Sequence, residues 1–124
     1  MANIPYYQQK DIENIKKLRE MMKELPPFCT EFFRGIEPRT STRTRIAYAY
    51  DLSVFFDFLK KENPVFAKME RMDFKLEQLD QIKVTDLEEY MEYLKYRFNE
   101  QNHEIMNQER GIMRKISSLK SFYN

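Results

Sequence analysis

Residues 42–62 constrain the fold more than any other stretch. Ser41 is a good N-cap, and Asn63-Pro64 is a stop. Between them Tyr48, Leu52, Phe55 and Leu59 recur at three- and four-residue steps, which is one face of an α-helix. Proline ends such a run because it lacks a backbone N–H and pushes its predecessor out of the α region. A long helix with one apolar stripe needs other elements to cover it.

The remaining chain offers helices rather than strands as that cover. Only two glycines, Gly35 and Gly111, occur in 124 residues, and few alternating runs are visible. Residues 1–10 read as a loosely held arm. Asp11 can cap a helix over 12–25, with Ile12, Ile15, Leu18, Met22 and Leu25 on one side and Pro26-Pro27 as its end. A short helix follows from Phe28 to Arg34, burying Phe28, Phe32 and Phe33, with Gly35 as a left-handed cap. Residues 64–81 keep no clean period and predict a loop with a helical turn near 76–80. Thr85-x-x-Glu88 reads as a capping box, opening a helix that reaches Phe98 with Leu87, Tyr90, Met91 and Leu94 inward. Asn99 to Asn107 is a polar turn. The last helix starts near Gln108, carries Ile112, Ile116, Leu119 and Tyr123, and meets no stop before Asn124. Its register points onward, so the chain is expected to be a fragment of a longer protein.

The expected class is therefore all-α, and the length suits one domain with a modest core. Cys29 is the only cysteine, which leaves no intramolecular disulfide and suits a reducing cytoplasm. No apolar run approaches the roughly 20 residues needed to span a bilayer, and the N-terminus lacks a secretory pattern. A soluble cytoplasmic protein with no membrane partner is the expectation.

Charged residues make up 33% of the chain but nearly cancel, to a formal +1. Their distribution says more. Arg110, Arg114, Ser117 and Ser121 follow at four, three and four residues and share a face of the last helix. Lys115 and Ser118 lie on a neighbouring face, with Lys120 nearby. Arg39, Arg43 and Arg45 surround the first turn of the 42–62 helix with Thr40, Ser41, Thr42 and Thr44, where backbone N–H groups would also attract a phosphate. Acids collect in 77–92, at Glu77, Asp80, Asp86, Glu88, Glu89 and Glu92, so a basic side and an acidic side are expected. Arginines and hydroxyls are the usual phosphate ligands, but they also cap and solubilise helices. Charge alone leaves both readings open.

The spacing adds a resemblance. Ser41-x-x-Thr44-x-x-x-Tyr48-x-x-Asp51-Leu52-x-x-Phe55-x-x-Phe58-Leu59 resembles the first signature of the N-terminal core-binding domain of tyrosine recombinases, the phage integrase family. Arg114-x-Ile116-Ser117-Ser118-Leu119-Lys120-Ser121-Phe122-Tyr123 looks like that domain's last helix, commonly an arginine, then leucine-serine-alanine-leucine-arginine, then a phenylalanine-tyrosine pair. Ile82-x-Val84-x-Asp86-Leu87-x-x-Tyr90-Met91-x-x-Leu94 fits the family's third helix.

The resemblance implies a SAM-like orthogonal bundle of four to five helices over 28–124, preceded by an arm and an extra helix in 1–27. It implies half of a C-shaped clamp on double-stranded DNA, with the 42–62 and 108–124 helices across the major groove of a recombination half-site. The catalytic domain of the same protein would follow Asn124, and other recombinase protomers on DNA would be partners. On this reading Arg43, Arg45, Arg110, Arg114, Lys115 and Lys120 meet phosphates, and Thr44, Ser117 and Ser118 donate hydroxyls. Lys120 stands where arginine is commoner, keeping charge without a bidentate contact.

Strand cleavage in that family needs a tyrosine nucleophile and an arginine–histidine–arginine cluster with a His-x-x-Arg motif. The only histidine, His103, is followed by Glu104-Ile105-Met106 and does not match. Tyr123 reads as packing on the last helix. No catalytic residue, metal site or cofactor is expected, so the chain should not cleave DNA alone. The rival reading is a helical protein–protein interaction module.

Overall fold

The computed structural model describes residues 5–98 and 101–123. Six α-helices account for most of them: α1 (Tyr6–Met22), α2 (Cys29–Ile36), α3 (Thr42–Glu62), α4 (Leu76–Leu79), α5 (Val84–Lys95) and α6 (Glu109–Tyr123). Between α5 and α6 a small antiparallel hairpin pairs β1 (Arg97–Phe98) with β2 (Glu104–Ile105). The fold is an all-α helical bundle, and no helix among the described residues is long and apolar enough to cross a membrane.

α3 is the central element, with the bounds its sequence predicts. The Ser41 side chain accepts from the Thr44 backbone N–H at 3.1 Å, satisfying one of the free donors of the first turn. Leu52, Phe55 and Leu59 are fully buried and Tyr48 half-buried. The stripe is wider than expected, because Ala49, Phe56 and Phe58 are buried as well. Neighbours pack on several sides: α1 runs alongside α3, while α5 and α6 cover other faces. Each fully buried Leu or Phe contributes roughly 1.5–3 kcal/mol of hydrophobic stabilisation. Phe28, Phe32, Phe56 and Phe122 join α2, α3 and α6 through ring contacts with centroids 5.3–6.3 Å apart. The Cys29 thiol lies in this core, and burial pushes its pKa up to about 12.

Several helix ends differ from expectation. α1 starts at Tyr6, because Pro5 supplies the opening turn and its carbonyl accepts from Gln8 and Gln9. Asp11 therefore does not cap. Its carboxylate accepts from the Thr42 hydroxyl at 2.7 Å, and the Asn14 amide donates to the same hydroxyl at 3.2 Å, tying α1 to the start of α3. Residues 5–10 are helix or its cap rather than a loose arm, and residues 1–4 lie outside the described set.

α2 continues through Gly35, which has no positive φ. A 3-10 turn, Glu37–Arg39, follows directly. Side chains satisfy the carbonyls a left-handed cap would otherwise serve: the Thr40 hydroxyl donates to Ile36 O at 2.6 Å, and Arg45 donates to Glu37 O and Thr40 O. α5 starts at Val84, two residues before the expected box would allow. Its cap is the Asp86 carboxylate, which accepts from the Lys83 backbone N–H at 2.8 Å.

α5 ends at Lys95 rather than Phe98, because the chain turns into the hairpin. Within the expected polar turn Asn102 sits at φ 64°, a left-handed position that asparagine tolerates. Asn99 and Glu100 lie outside the described residues. Arg97 is buried, donates to the Asn107 side chain and approaches the Tyr93 ring. Tyr123 packs as expected, its hydroxyl donating to Leu79 O at 3.1 Å; Asn124 lies outside the described residues.

Candidate nucleic-acid interface

α3 and α6 cross as an antiparallel pair. Tyr48 meets Ser121 at 3.5 Å, while Asp51, one turn later on α3, meets Arg114 and Ser118, earlier on α6. Leu52, Phe55 and Leu59 on α3 and Ile112 and Leu119 on α6 are buried in the same core. Helical periodicity leaves the opposite side of the pair to solvent. Arg110, Arg114, Ser117 and Lys120 are exposed on α6, and Arg43 and Thr44 are exposed at the start of α3. Met113 on α6 and Tyr50 on α3 are also exposed, at 55% and 46%.

Beneath this face is a buried polar knot centred on Asp51, which is only 2% exposed. One carboxylate oxygen accepts from Arg114 at 3.0 Å and from Lys115 Nζ at 2.9 Å. The other accepts from the Ser118 hydroxyl at 2.7 Å. Lys115 is 1% exposed, and the Tyr50 ring covers its ammonium at 4.5 Å. Burial lowers the Lys115 pKa, against the pull of Asp51 in the other direction. Removing a carboxylate and an ammonium from water is costly unless they are paired and hydrogen-bonded, and here both conditions are met.

Three expected contacts are corrected by this geometry. Lys115 and Ser118 do not face outward, because at successive three- and four-residue steps they turn toward Asp51. Arg45 is 8% exposed, and its guanidinium holds the Glu37 and Thr40 carbonyls at 3.0 and 2.9 Å. It is a staple between the 3-10 turn and α3, not a free cation. Thr44 is exposed and its hydroxyl accepts from Ser41 Oγ at 3.0 Å. Arg114 belongs to both sets: its side chain is 57% exposed while one N–H reaches Asp51.

Asp51 is the residue whose role sequence reasoning missed. Its one signal was an acid beside the apolar stripe of the helix, between Tyr48 and Leu52. The acidic groups gather elsewhere. Glu62, Glu88, Glu89 and Glu92 line a groove between α3 and α5 whose apolar lining includes Phe58, Met91, Tyr93 and Ile112.

Over 105 residues the chain is 36% identical to the tyrosine recombinase XerC of Caldanaerobacter subterraneus subsp. tengcongensis. Over that span the chain is similar to a tyrosine recombinase. The match takes in 80% of this chain and 28% of the XerC protein, so the chain spans well under a third of that relative. No family model matches the chain, and no solved structure matches it. The stretches Ser41–Leu59 and Arg114–Tyr123 lie on the paired helices α3 and α6.

Proposed function

We propose that the chain is the DNA-binding core domain of a site-specific tyrosine recombinase, of phage, mobile-element or bacterial-host origin, gripping a recombination half-site with α3 and α6 across the major groove. The observation that carries this reading is the similarity to XerC. On it, residues 28–124 form a SAM-like core-binding unit, with α1 packed against it as an extra helix. Strand cleavage would belong to the part of the full-length relative outside the aligned span, and other protomers would be partners on DNA.

Arg43, Arg110, Arg114 and Lys120 are the cations exposed for phosphates, and Thr44 and Ser117 the exposed hydroxyls. Arg45, Lys115 and Ser118 support that surface from below. With about four phosphate contacts, log K should fall against log salt with a slope of about −3.5. Binding should be weak, because half a clamp lacks the effective concentration supplied by a tethered second half. Fluorescence anisotropy with a labelled duplex at several salt concentrations measures both. No detectable binding at low salt, or binding indifferent to salt, overturns the reading.

The glutamate-lined groove between α3 and α5 favours a second reading, a helical protein-interaction module that receives a basic amphipathic helix. The same titration separates the two, since an adaptor of that kind has no reason to bind duplex DNA.

A further inference from the structure

Asp51 presents an uneven charge balance. One buried carboxylate receives two cations, and Lys115 alone already matches its charge. Ser118 fills the second oxygen. Arg114 is therefore surplus to neutralisation. It gives one of its five N–H groups to Asp51 and keeps a 57% exposed side chain among the outward cations of α6.

We propose that Asp51 is a positioning residue for the anion-binding face: it fixes the Arg114 guanidinium by a single N–H so that the remaining donors are aimed outward at a phosphate. This rests on the DNA-binding reading above. An arginine on a flexible stem loses rotamer freedom when it grips a phosphate, and that loss opposes binding. An arginine already held on a buried anchor has lost that freedom during folding. Because Lys115 cancels the carboxylate, the anchor does not also cancel Arg114, and the exposed surface keeps its positive charge. Asp51 itself touches no ligand.

The test uses the 124-residue chain with isotope-labelled arginine, comparing wild type with Asp51→Leu/Lys115→Met. The double substitution removes anchor and ammonium together, leaving net charge unchanged and no buried charge unpaired. By NMR, rotation of the Arg114 guanidinium should be slow in wild type relative to Arg43 and Arg110, and should reach their rate in the double variant. Equal rotation of all three in wild type overturns the proposal, whether or not the variant folds and whether or not DNA binds.

Duplex titration then reads the consequence. The double variant should bind roughly three- to tenfold more weakly with the same salt slope, because no cation has left the surface. Arg114→Gln should weaken binding and also flatten the slope by about one. Equal or tighter binding by the folded double variant overturns the proposal, since Asp51 would then be neutral or a restraint. If wild type binds no duplex, the DNA reading fails by itself, and the rotation measurement still decides whether Asp51 holds Arg114.

Discussion

A carboxylate 2% exposed survives in a protein interior only where its charge is met, and Asp51 is met by groups from a helix distant in sequence. Lys115 is the indispensable partner, because it is itself buried under Tyr50 and, among the described residues, pairs with no other carboxylate. Replacing Asp51 by Leu strands that ammonium, and removing one partner of a buried pair costs about 3–5 kcal/mol. Lys115→Met should cost less, because Arg114 still reaches the carboxylate from the surface side. The double substitution should recover most of the loss, as apolar residues of similar volume often replace a buried pair without penalty. A double-mutant cycle by urea unfolding gives the coupling. Simple additivity would show that the two charges do not stabilise one another.

At the scale of elements, α3 was legible from its own residues, and so was the start of α6, expected near Gln108 and found at Glu109. Ser41, Tyr48, Leu52, Phe55, Leu59 and Asn63-Pro64 are local signals, and they placed both ends of the helix. The start of α1 was not legible, because Asp11 looks like a cap until Thr42, 31 residues away, is seen to claim it. The inward turn of Lys115 was hidden likewise, since its partner lies 64 residues back. Exposed cations such as Arg43 and Arg110 were readable because nothing distant recruits them among the described contacts. α1 shows what long-range bonds do: it has no fully buried residue, and the half-buried Leu18, Met21 and Met22 pack its later turns. Thr42→Val keeps the shape but removes the hydroxyl that joins Asp11 and Asn14 to α3. The expected loss is about 1–2 kcal/mol, concentrated in α1. Hydrogen exchange should speed up across 11–18 by roughly tenfold or more, with α6 little changed. Uniform acceleration along the chain would mean that α1 and the bundle open as one unit.

For the whole molecule, a formal charge of +1 cannot draw a polyanion, so attraction must come from where the charges sit. The exposed cations of α6 lie along one edge, while Glu62, Glu88, Glu89 and Glu92 line the groove between α3 and α5. Location and total can be separated with two variants of equal net charge. Arg110→Gln/Lys120→Gln removes two positive charges from the proposed DNA face. Lys16→Gln/Lys17→Gln removes two from α1, where both side chains are exposed. If phosphates are held at α6, the first variant should lose affinity roughly tenfold at 0.1 M salt and flatten the salt slope by about two, since each phosphate contact contributes about 0.9 to that slope. The second variant should change the apparent association only through weak, screened long-range attraction, with the slope intact. Anisotropy titrations at matched ionic strength give both quantities. Equal losses in the two variants would mean that the chain answers to total charge rather than to a built surface, and the clamp geometry of α3 and α6 would then have no role in binding.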